Sequence, residues 1–171
     1  QVRAGERRQA DPRREIAVYR NVLAPLGVDG TPVVAAADEM SARWLVLELV
    51  DGTPLWQIGD LAVWQEAARW LARLHALPVP DDKALVRYDS AHLQERLELT
   101  AATRRFAKRV AERLAALPIR LIHGDFYPAN ILVETGPRIR VVDWETCGAG
   151  PAVLDVAALI SGRWSEQERK Q

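Results

Sequence analysis

The densest group of reactive residue types in this 171-residue chain lies at residues 123–130 (HGDFYPAN). This segment stands between two apolar runs, residues 119–122 and residues 131–133. A further carboxylate, Asp143, directly follows the next apolar run at residues 139–142. Because a Thr-Gly-Pro turn separates the last two runs, the pattern predicts a β-hairpin with polar residues at its open end.

Such a hairpin would bring Asn130 and Asp143 together, since the residue before one antiparallel strand lies near the residue after its partner. Asp125 would lie one loop away. Phosphoryl transfer needs a carboxylate that accepts the proton of the attacking hydroxyl, and hard oxygen ligands that hold magnesium against the nucleotide phosphates. The spacing therefore predicts Asp125 as the general base and Asn130 with Asp143 as the magnesium ligands.

Several of these polar residues have an ordinary structural interpretation as well. Taken alone, Asp125 would cap a loop and Asn130 would cap a turn. No second His or Cys stands at ligand spacing from His123, so we expect it to order the loop by hydrogen bonding. We expect His75 to be a packed core residue, and Asp155, in the first turn of a helix, to have a structural or capping role.

Hydrophobic spacing predicts a mixed succession of elements. The helices are expected from Arg14 onward, from Asp60 to His75, over residues 90–117 and from Pro151. The strands are expected at residues 33–36, 44–50 and 119–122 and in the hairpin. Strands come first, then helices, then the hairpin. This order favours an α+β domain over a parallel sheet built from βαβ units.

Composition excludes several classes of partner. Lys plus Arg equals Asp plus Glu at 23 each, so no net charge attracts the chain to nucleic acid or to an anionic membrane. The single cysteine, Cys147, rules out an internal disulfide and suits a cytoplasmic location. No apolar run has the length of a membrane span, and the arginine-rich start has no signal-peptide pattern. We therefore expect a cytoplasmic protein with no nucleic-acid or membrane partner.

The motif at residues 123–130, His-Gly-Asp-x-x-x-x-Asn, resembles the catalytic loop of the aminoglycoside phosphotransferase and choline kinase superfamily. Residues 142–145 (VDWE) resemble the family's metal-binding Asp segment. Residues 47–52 (LELVDG) resemble the strand and linker that hold adenine through backbone groups. Residues 14–18 (REIAV) resemble the helix whose Glu pairs with the phosphate-binding Lys. These matches occur in the family's order along nearly the whole chain.

The resemblance implies a protein-kinase-like fold and ATP-dependent phosphorylation of a hydroxyl on a small molecule, with Mg²⁺ as cofactor. Residues 1–50 would be the remnant of the N-terminal lobe. Residues 51–171 would form the mainly helical C-terminal catalytic lobe with its β-hairpin, incomplete at the C-terminal end. In that family pattern the cofactor-binding residues are Glu48, Leu49 and Val50 at the adenine edge, and Glu15 on the helix near the phosphates.

The chain also departs from the family pattern. The glycine-rich nucleotide loop and the strand Lys are not seen in residues 1–14, and Lys83 is the first Lys. We therefore expect residues 1–171 alone to show negligible turnover. One alternative is a catalytically incompetent nucleotide-binding or interaction module derived from this fold. Another is a metal-dependent hydrolase that uses Asp125 and Asp143, although such sites usually have more His and carboxylate ligands.

Overall fold

The structure is a computed structural model that describes residues 12–37, 44–97, 101–136 and 138–161. Its helices are α1 (Pro12–Ala17), α2 (Ala24–Leu26), α3 (Leu61–Ala76), α4 (Ser90–Leu97), α5 (Ala101–Ala115) and α6 (Val153–Leu159). A π-helical segment, Val18–Leu23, joins α1 to α2, and a 3-10 turn occupies Leu55–Gln57. Within the described ranges, no helix combines the length and the apolarity that a membrane span requires.

The strands are β1 (Val34–Ala37), β2 (Leu45–Leu47), β3 (Thr53–Pro54), β4 (Val86–Arg87), β5 (Ile119–Ile122), β6 (Ile131–Glu134), β7 (Arg138–Val141) and β8 (Gly148–Pro151). They form three small sheets with the strand orders β1-β2, β3-β6-β7 and β4-β8-β5. Every pairing is antiparallel except that of β4 with β8. Helices and small sheets alternate along the described chain, which confirms the predicted α+β class.

The first helical stretch buries the face that its sequence spacing predicts. Ile16, Tyr19, Val22 and Leu23 are all buried. The turn ends at Gly27, whose φ of 61° closes the helix in the left-handed conformation that glycine adopts without strain. The π-helical stretch was not predicted, and such segments are frequent at functional sites.

Helix α3 begins where expected. The Asp60 carboxylate accepts a hydrogen bond from the backbone N–H of Ala62 at 2.9 Å, which satisfies a free donor of the first turn. Its inward face is fully packed, with Trp70, Leu71 and Leu74 each at most 3% exposed. This helix forms one wall of the main core.

The predicted hairpin is confirmed by β6 and β7. Ile131 pairs with Val141, and both side chains are fully buried. Beyond this pair, the backbone N–H of Val142 donates to the carbonyl of Asn130 at 3.0 Å. Gly136, with φ of 84°, turns the chain between the strands. The hairpin therefore ends with Asn130 and the residues after Val141 on the same edge.

The single helix predicted over residues 90–117 is wrong, because α4 and α5 are separate helices that pack against each other. Leu93 and Ala111 are buried in one cluster. In a continuous helix these two residues would lie about 27 Å apart, at 1.5 Å per residue. The predicted inner face of α5 is also shifted, since Phe106 and Val110 are 43% and 39% exposed while Ala107 is buried.

Strand β8 was not predicted, and the expectation that the last helix starts at Pro151 is wrong. Pro151 ends the strand, and α6 begins at Val153. The strand consists of small residues because its neighbours approach closely. A Cβ added to Gly148 would overlap the carbonyl oxygen of Val86 on the adjacent β4. The alternating pattern by which strands are recognised is therefore missing from this segment.

Candidate functional site

The loop between β5 and β6 is ordered from within by His123. This side chain is fully buried, and burial lowers the pKa of its imidazole, which keeps the ring neutral. Its Nδ1 accepts a hydrogen bond from the backbone N–H of Asp125 at 3.3 Å, and its Nε2 donates to the carbonyl of Val142 at 3.1 Å. His123 thus joins the Asp125 loop to the end of the hairpin, which is the ordering role expected from the sequence.

The backbone of the same loop is fixed by Asp155 of α6. Its side chain is fully buried. One carboxylate oxygen accepts the N–H of His123 and the other accepts the N–H of Gly124, both at 2.8 Å. His75 of α3 completes the set, with its Nε2 at 3.0 Å from Asp155 Oδ2. Asp155 therefore has the structural role expected from the sequence, and His75 is its partner.

Gly124 is required by both its conformation and its surroundings. Its φ is 85°, a region that residues with a side chain rarely adopt. A Cβ at this position would overlap the Tyr88 hydroxyl and the carbonyl oxygen of Thr146. These two groups are hydrogen-bonded to each other at 2.7 Å. The loop can pass this hydrogen bond only because residue 124 is glycine.

Aromatic rings support the loop from the core. Phe126 is fully buried and stacks on Trp70, with 5.6 Å between ring centroids and 7° between ring planes. The ring of Trp144 lies 4.5 Å from that of His123. Because the neighbours of Asp125 are packed in this way, Asp125 itself is left half-buried at the edge of a cavity.

Asn130 is oriented by Asp125. Its Nδ2 donates to the backbone carbonyl of Asp125 at 2.9 Å and to the Asp125 carboxylate at 3.2 Å. Both hydrogens of the amide are thus used, and its oxygen has no protein partner among the described residues. The geometry therefore leaves one hard oxygen of Asn130 available beside the carboxylate.

Asp143 has an unusual backbone conformation. Among the described residues it is the one non-glycine residue with a positive φ, at 66°. The backbone of Glu145 partly offsets the rise in the pKa of the Asp143 carboxyl group. Strained conformations of this kind cost free energy and are concentrated at functional sites, where they direct a side chain.

Four carboxylates at the end of the hairpin are near enough for their charges to interact, and we call them the acidic cluster: Glu15, Asp125, Asp143 and Glu145. Burial first, and then the charges of Glu145 and Asp125, raise the pKa of Asp143. Burial, and then the charges of Asp143 and Glu145, likewise raise the pKa of Glu15, and together they outweigh the opposing effect of the Trp144 backbone. The cluster carries excess negative charge that a bound cation would neutralise.

The donor set suits magnesium. Asn130 and Asp143 offer an amide oxygen and a carboxylate, which are hard ligands. In the described part of the chain, no group of three or more His, Cys, Asp or Glu side chains is arranged to hold a metal ion. Magnesium nevertheless retains its waters and binds substrate phosphates, so two protein ligands fit its chemistry.

The predicted adenine linker, residues 48–50, directly follows β2. The N–H of Glu48 already donates to the carbonyl of Val33 at 2.8 Å. No backbone hydrogen bond joins Leu49 or Val50 to another part of the described chain, and Leu49 is 90% exposed. The structure thus leaves the backbone groups of Leu49 and Val50 open to a ligand.

The linker is tied to the hairpin by Arg140 of β7, which is 3% exposed. Its Nη2 contacts the Glu48 carboxylate at 2.7 Å, and its Nη1 contacts the Glu134 carboxylate at 3.1 Å. Its Nε donates to the carbonyl of Gly30 at 3.3 Å. The hydrogen bond from Arg140 is the main reason why the pKa of Glu48 is lowered. The Glu48 side chain is therefore a structural contact of the linker, a role that the sequence did not reveal.

A cavity of about 320 Å³ opens beside the loop. It is lined by Tyr88, which follows β4, and by residues of the loop and of three helices: Leu93, Arg96, Leu97, Leu114, Gly124, Asp125, Tyr127, Leu154, Ala157 and Ala158. Its size is within the range of small-molecule sites. The α4 contribution was missed, although Leu93, Arg96 and Leu97 have the spacing of one helix face.

Comparison with known proteins assigns the fold. An aminoglycoside-3'-phosphotransferase of type VIII is 23% identical with a TM-score of 0.61, and the match covers 92% of this chain and 65% of that one. APH(3'')-Id from Streptomyces rimosus, solved with ADP and streptomycin, is 17% identical with a TM-score of 0.64, and the match covers 93% of this chain and 70% of that one. A choline/ethanolamine kinase family protein from Mesorhizobium loti is 19% identical with a TM-score of 0.66, and the match covers 94% of this chain and 57% of that one.

These likenesses confirm the predicted kinase-like fold. The chain spans between 57% and 70% of the length of these three structures. No curated protein sequence matches it significantly. The sequence profile of the phosphotransferase enzyme family (APH) matches residues 1–171. The chain therefore belongs to the phosphotransferase enzyme family.

Proposed function

We propose that this chain provides the acceptor- and metal-binding part of a phosphotransferase that moves the γ-phosphate of ATP to a hydroxyl of a small molecule. The observation that carries this proposal is the group formed by Asp125, Asn130 and Asp143. Asp125 is hydrogen-bonded to Asn130 at 3.2 Å, its charge acts on Asp143, and it faces a cavity of about 320 Å³. These contacts support the proposal that a base, two metal ligands and a space for an acceptor share one region of the structure.

In the proposed reaction the acceptor hydroxyl lies in the cavity against Asp125. Its oxygen forms a bond to the γ-phosphorus while the bond from that phosphorus to the β,γ-bridging oxygen breaks, so ADP leaves. The proton of the hydroxyl passes to the Asp125 carboxylate and from there to solvent. Positioning and charge neutralisation provide most of the acceleration in this chemistry.

Asn130 and Asp143 would hold Mg²⁺, which neutralises phosphate charge when it is bound. The hydrogen bonds from Asn130 to Asp125 fix the distance between the base and this site. Glu15 lies near this group, because the charge of Asp143 adds to the effect of burial in raising the pKa of Glu15. We propose that Glu15 pairs with a cation that contacts the phosphates of the bound nucleotide.

The adenine edge would be bound by the backbone of Leu49 and Val50, since the N–H of Glu48 is used by Val33, with Arg140 holding Glu48 in place. Solved structures of related proteins contain ADP or GDP, which supports a nucleotide as donor. We also propose that residues 1–50 belong to the nucleotide-binding lobe and residues 51–171 to the catalytic lobe. A cytoplasmic location, where ATP and Mg²⁺ are supplied, is part of the same proposal.

The two alternatives have less support. A module without catalysis would have no need for a strained Asp143 in an acidic cluster. A metal-dependent hydrolase would require a fuller set of ligands, and the described residues contain no group of three His, Cys, Asp or Glu side chains that could hold a metal.

The test compares variants in the longest open reading frame that encodes these residues, with ATP, Mg²⁺ and a panel of small alcohols. Asp125→Asn removes the base and should lower turnover by about 10²–10⁴-fold while nucleotide affinity is unchanged. Asp143→Ala should weaken the binding of magnesium nucleotide as well. The exposed Asp29→Asn serves as the matched control. Near-normal turnover by Asp125→Asn would refute the assignment of the base.

Residues 1–171 alone should show negligible turnover. No glycine-rich loop or Lys precedes Glu15 in this sequence, so the γ-phosphate would not be held in line with the acceptor. Positioning of this kind contributes roughly 7–11 kcal/mol to catalysis. Turnover by residues 1–171 comparable with that of a longer reading frame carrying both elements would contradict this expectation.

A further inference from the structure

The charge of the cavity beside Asp125 limits the kind of acceptor that it can hold. Among the lining residues that the structure describes, only Arg96 and Asp125 carry a formal charge. The remainder of the wall is mainly leucine and alanine, together with Tyr88 and Tyr127. A polycationic sugar needs several carboxylates to replace its hydration, and the described wall provides only the one that the reaction itself requires.

The position of Arg96 allows it to bind a negatively charged group of a ligand. Its guanidinium carbon lies 5.9 Å from the centre of the Tyr88 ring, within the range of a cation–π contact. Tyr88 is 2% exposed and is held by the hydrogen bond from its hydroxyl to Thr146, so the ring is a fixed support. In the described part of the chain, no carboxylate forms an ion pair with Arg96. Its donors are therefore available to a ligand.

The body of the acceptor would contact the apolar wall. Leu93 of α4 is buried, and Leu97, Leu114 and Leu154 are partly buried around it. These side chains belong to three different helices that meet at the cavity. An acceptor with a hydrocarbon body buries apolar surface here, which provides binding free energy without a hydrogen-bond partner.

We infer that the acceptor is a hydroxylated carboxylate or similar monoanion with an apolar body, bound with its anionic group on Arg96 and its hydroxyl at Asp125. This inference rests on the proposed phosphotransfer. The hydroxyl oxygen gains the phosphoryl group of ATP, ADP leaves, and the proton goes to Asp125. The anionic group is unchanged and serves only for recognition. Neutral and cationic analogues of the same length bind less tightly because Arg96 then lacks its partner.

The test uses three probes of equal length with a terminal hydroxyl: hydroxyhexanoate, hydroxyhexanamide and aminohexanol. Hydroxy acids from hydroxybutanoate to hydroxyoctanoate then locate the best chain length, and kanamycin represents the polycations. Binding is measured by calorimetry and phosphorylation by ADP release, with the full reading frame. The acid should bind about ten-fold more tightly than the amide, which corresponds to about 1.4 kcal/mol. The amine should bind more weakly than both.

Arg96→Gln should abolish the preference for the acid, while Arg96→Lys should keep part of it. Arg109→Gln on α5 changes another exposed arginine, outside the cavity, and should have no effect. A preference for aminohexanol or kanamycin, or an acid preference that survives Arg96→Gln, would overturn the inference.

The two levels of the proposal fail in different ways. Asp125-dependent phosphorylation of kanamycin, with no use of hydroxy acids, would sustain the phosphotransferase and refute the anionic acceptor. Saturable binding of a hydroxy acid that requires Arg96, with no phosphorylation of any probe, would sustain the anionic ligand and refute phosphotransfer.

Discussion

Asp155→Asn should loosen the loop at residues 123–130 more than any change of similar size elsewhere in the described chain. The carboxylate is fully buried and accepts the N–H groups of His123 and Gly124 at 2.8 Å each, with His75 Nε2 at 3.0 Å. An Asn side chain has nearly the same shape, but it replaces one oxygen with an NH₂ group. One backbone N–H of the loop then faces a donor in place of an acceptor.

The expected cost follows from that lost contact. A hydrogen bond to a charged group is removed and a buried N–H is left without a partner, so the free energy of unfolding should fall by about 2–4 kcal/mol. For a domain of this size this corresponds to a loss in Tm on the order of 10 °C. Because Gly124 immediately precedes Asp125, turnover should fall as well, measured at a temperature where the variant remains folded.

The measurements are thermal unfolding and turnover for Asp155→Asn in the longest open reading frame, with the exposed Asp29→Asn as the control. His75→Gln removes one of the same contacts, so the double variant should cost less than the sum of the two single changes. If Asp155→Asn unfolds within about 0.5 kcal/mol of the wild type, the size of an ordinary surface substitution, the anchoring role is wrong.

Gly124→Ala should lower the free energy of unfolding by about 1–3 kcal/mol and reduce turnover, because its Cβ would overlap the Tyr88 hydroxyl. Adding Tyr88→Phe should partly restore the melting temperature, and a lack of rescue would count against this clash. The raised pKa of Glu15 means that its ionisation opposes folding, so without magnesium the wild type should lose stability as pH rises through that pKa. Glu15→Gln should therefore gain in Tm relative to wild type from mildly acidic to neutral pH, and a constant difference would refute this. Arg140→Met should lower the free energy of unfolding by about 1–3 kcal/mol. Because the linker loses its contact with Arg140, the KM for nucleotide should rise several-fold with little change in kcat, and an equal fall in kcat would contradict a linker role.

The elements that position the site could be predicted from local sequence. The hairpin was predictable because two apolar runs flank a Thr-Gly-Pro turn, and its register follows from strand geometry. The helix from Asp60 was predictable because its cap and its apolar spacing are both local signals. The nearness of Asp125 and Asn130 also follows from their separation of five positions across one loop.

Other elements could not be predicted from local sequence, because contacts with distant parts of the chain determine them. Nothing local distinguishes the glycine-rich β8 from a turn, since its structure is set by contact with β4 and β5. The break between α4 and α5 was missed because their helical periodicity continues through it. The two helices pack side by side because Leu93 and Ala111 bury more surface together than a single extended helix would allow.

The sequence by itself determined the chemistry of this protein: which residue types are present, their spacing, and the local turn that brings Asn130 to Asp125. Only the tertiary structure decided which distant groups join them. Asp155 reaches the loop from 31 positions away, and Arg140 reaches Glu48 across 92 positions. Spacing along a chain carries no information about such contacts, because they arise when whole elements pack to bury apolar surface. The same packing placed Arg96 and Asp125 on the wall of one cavity, in which an acceptor would lie.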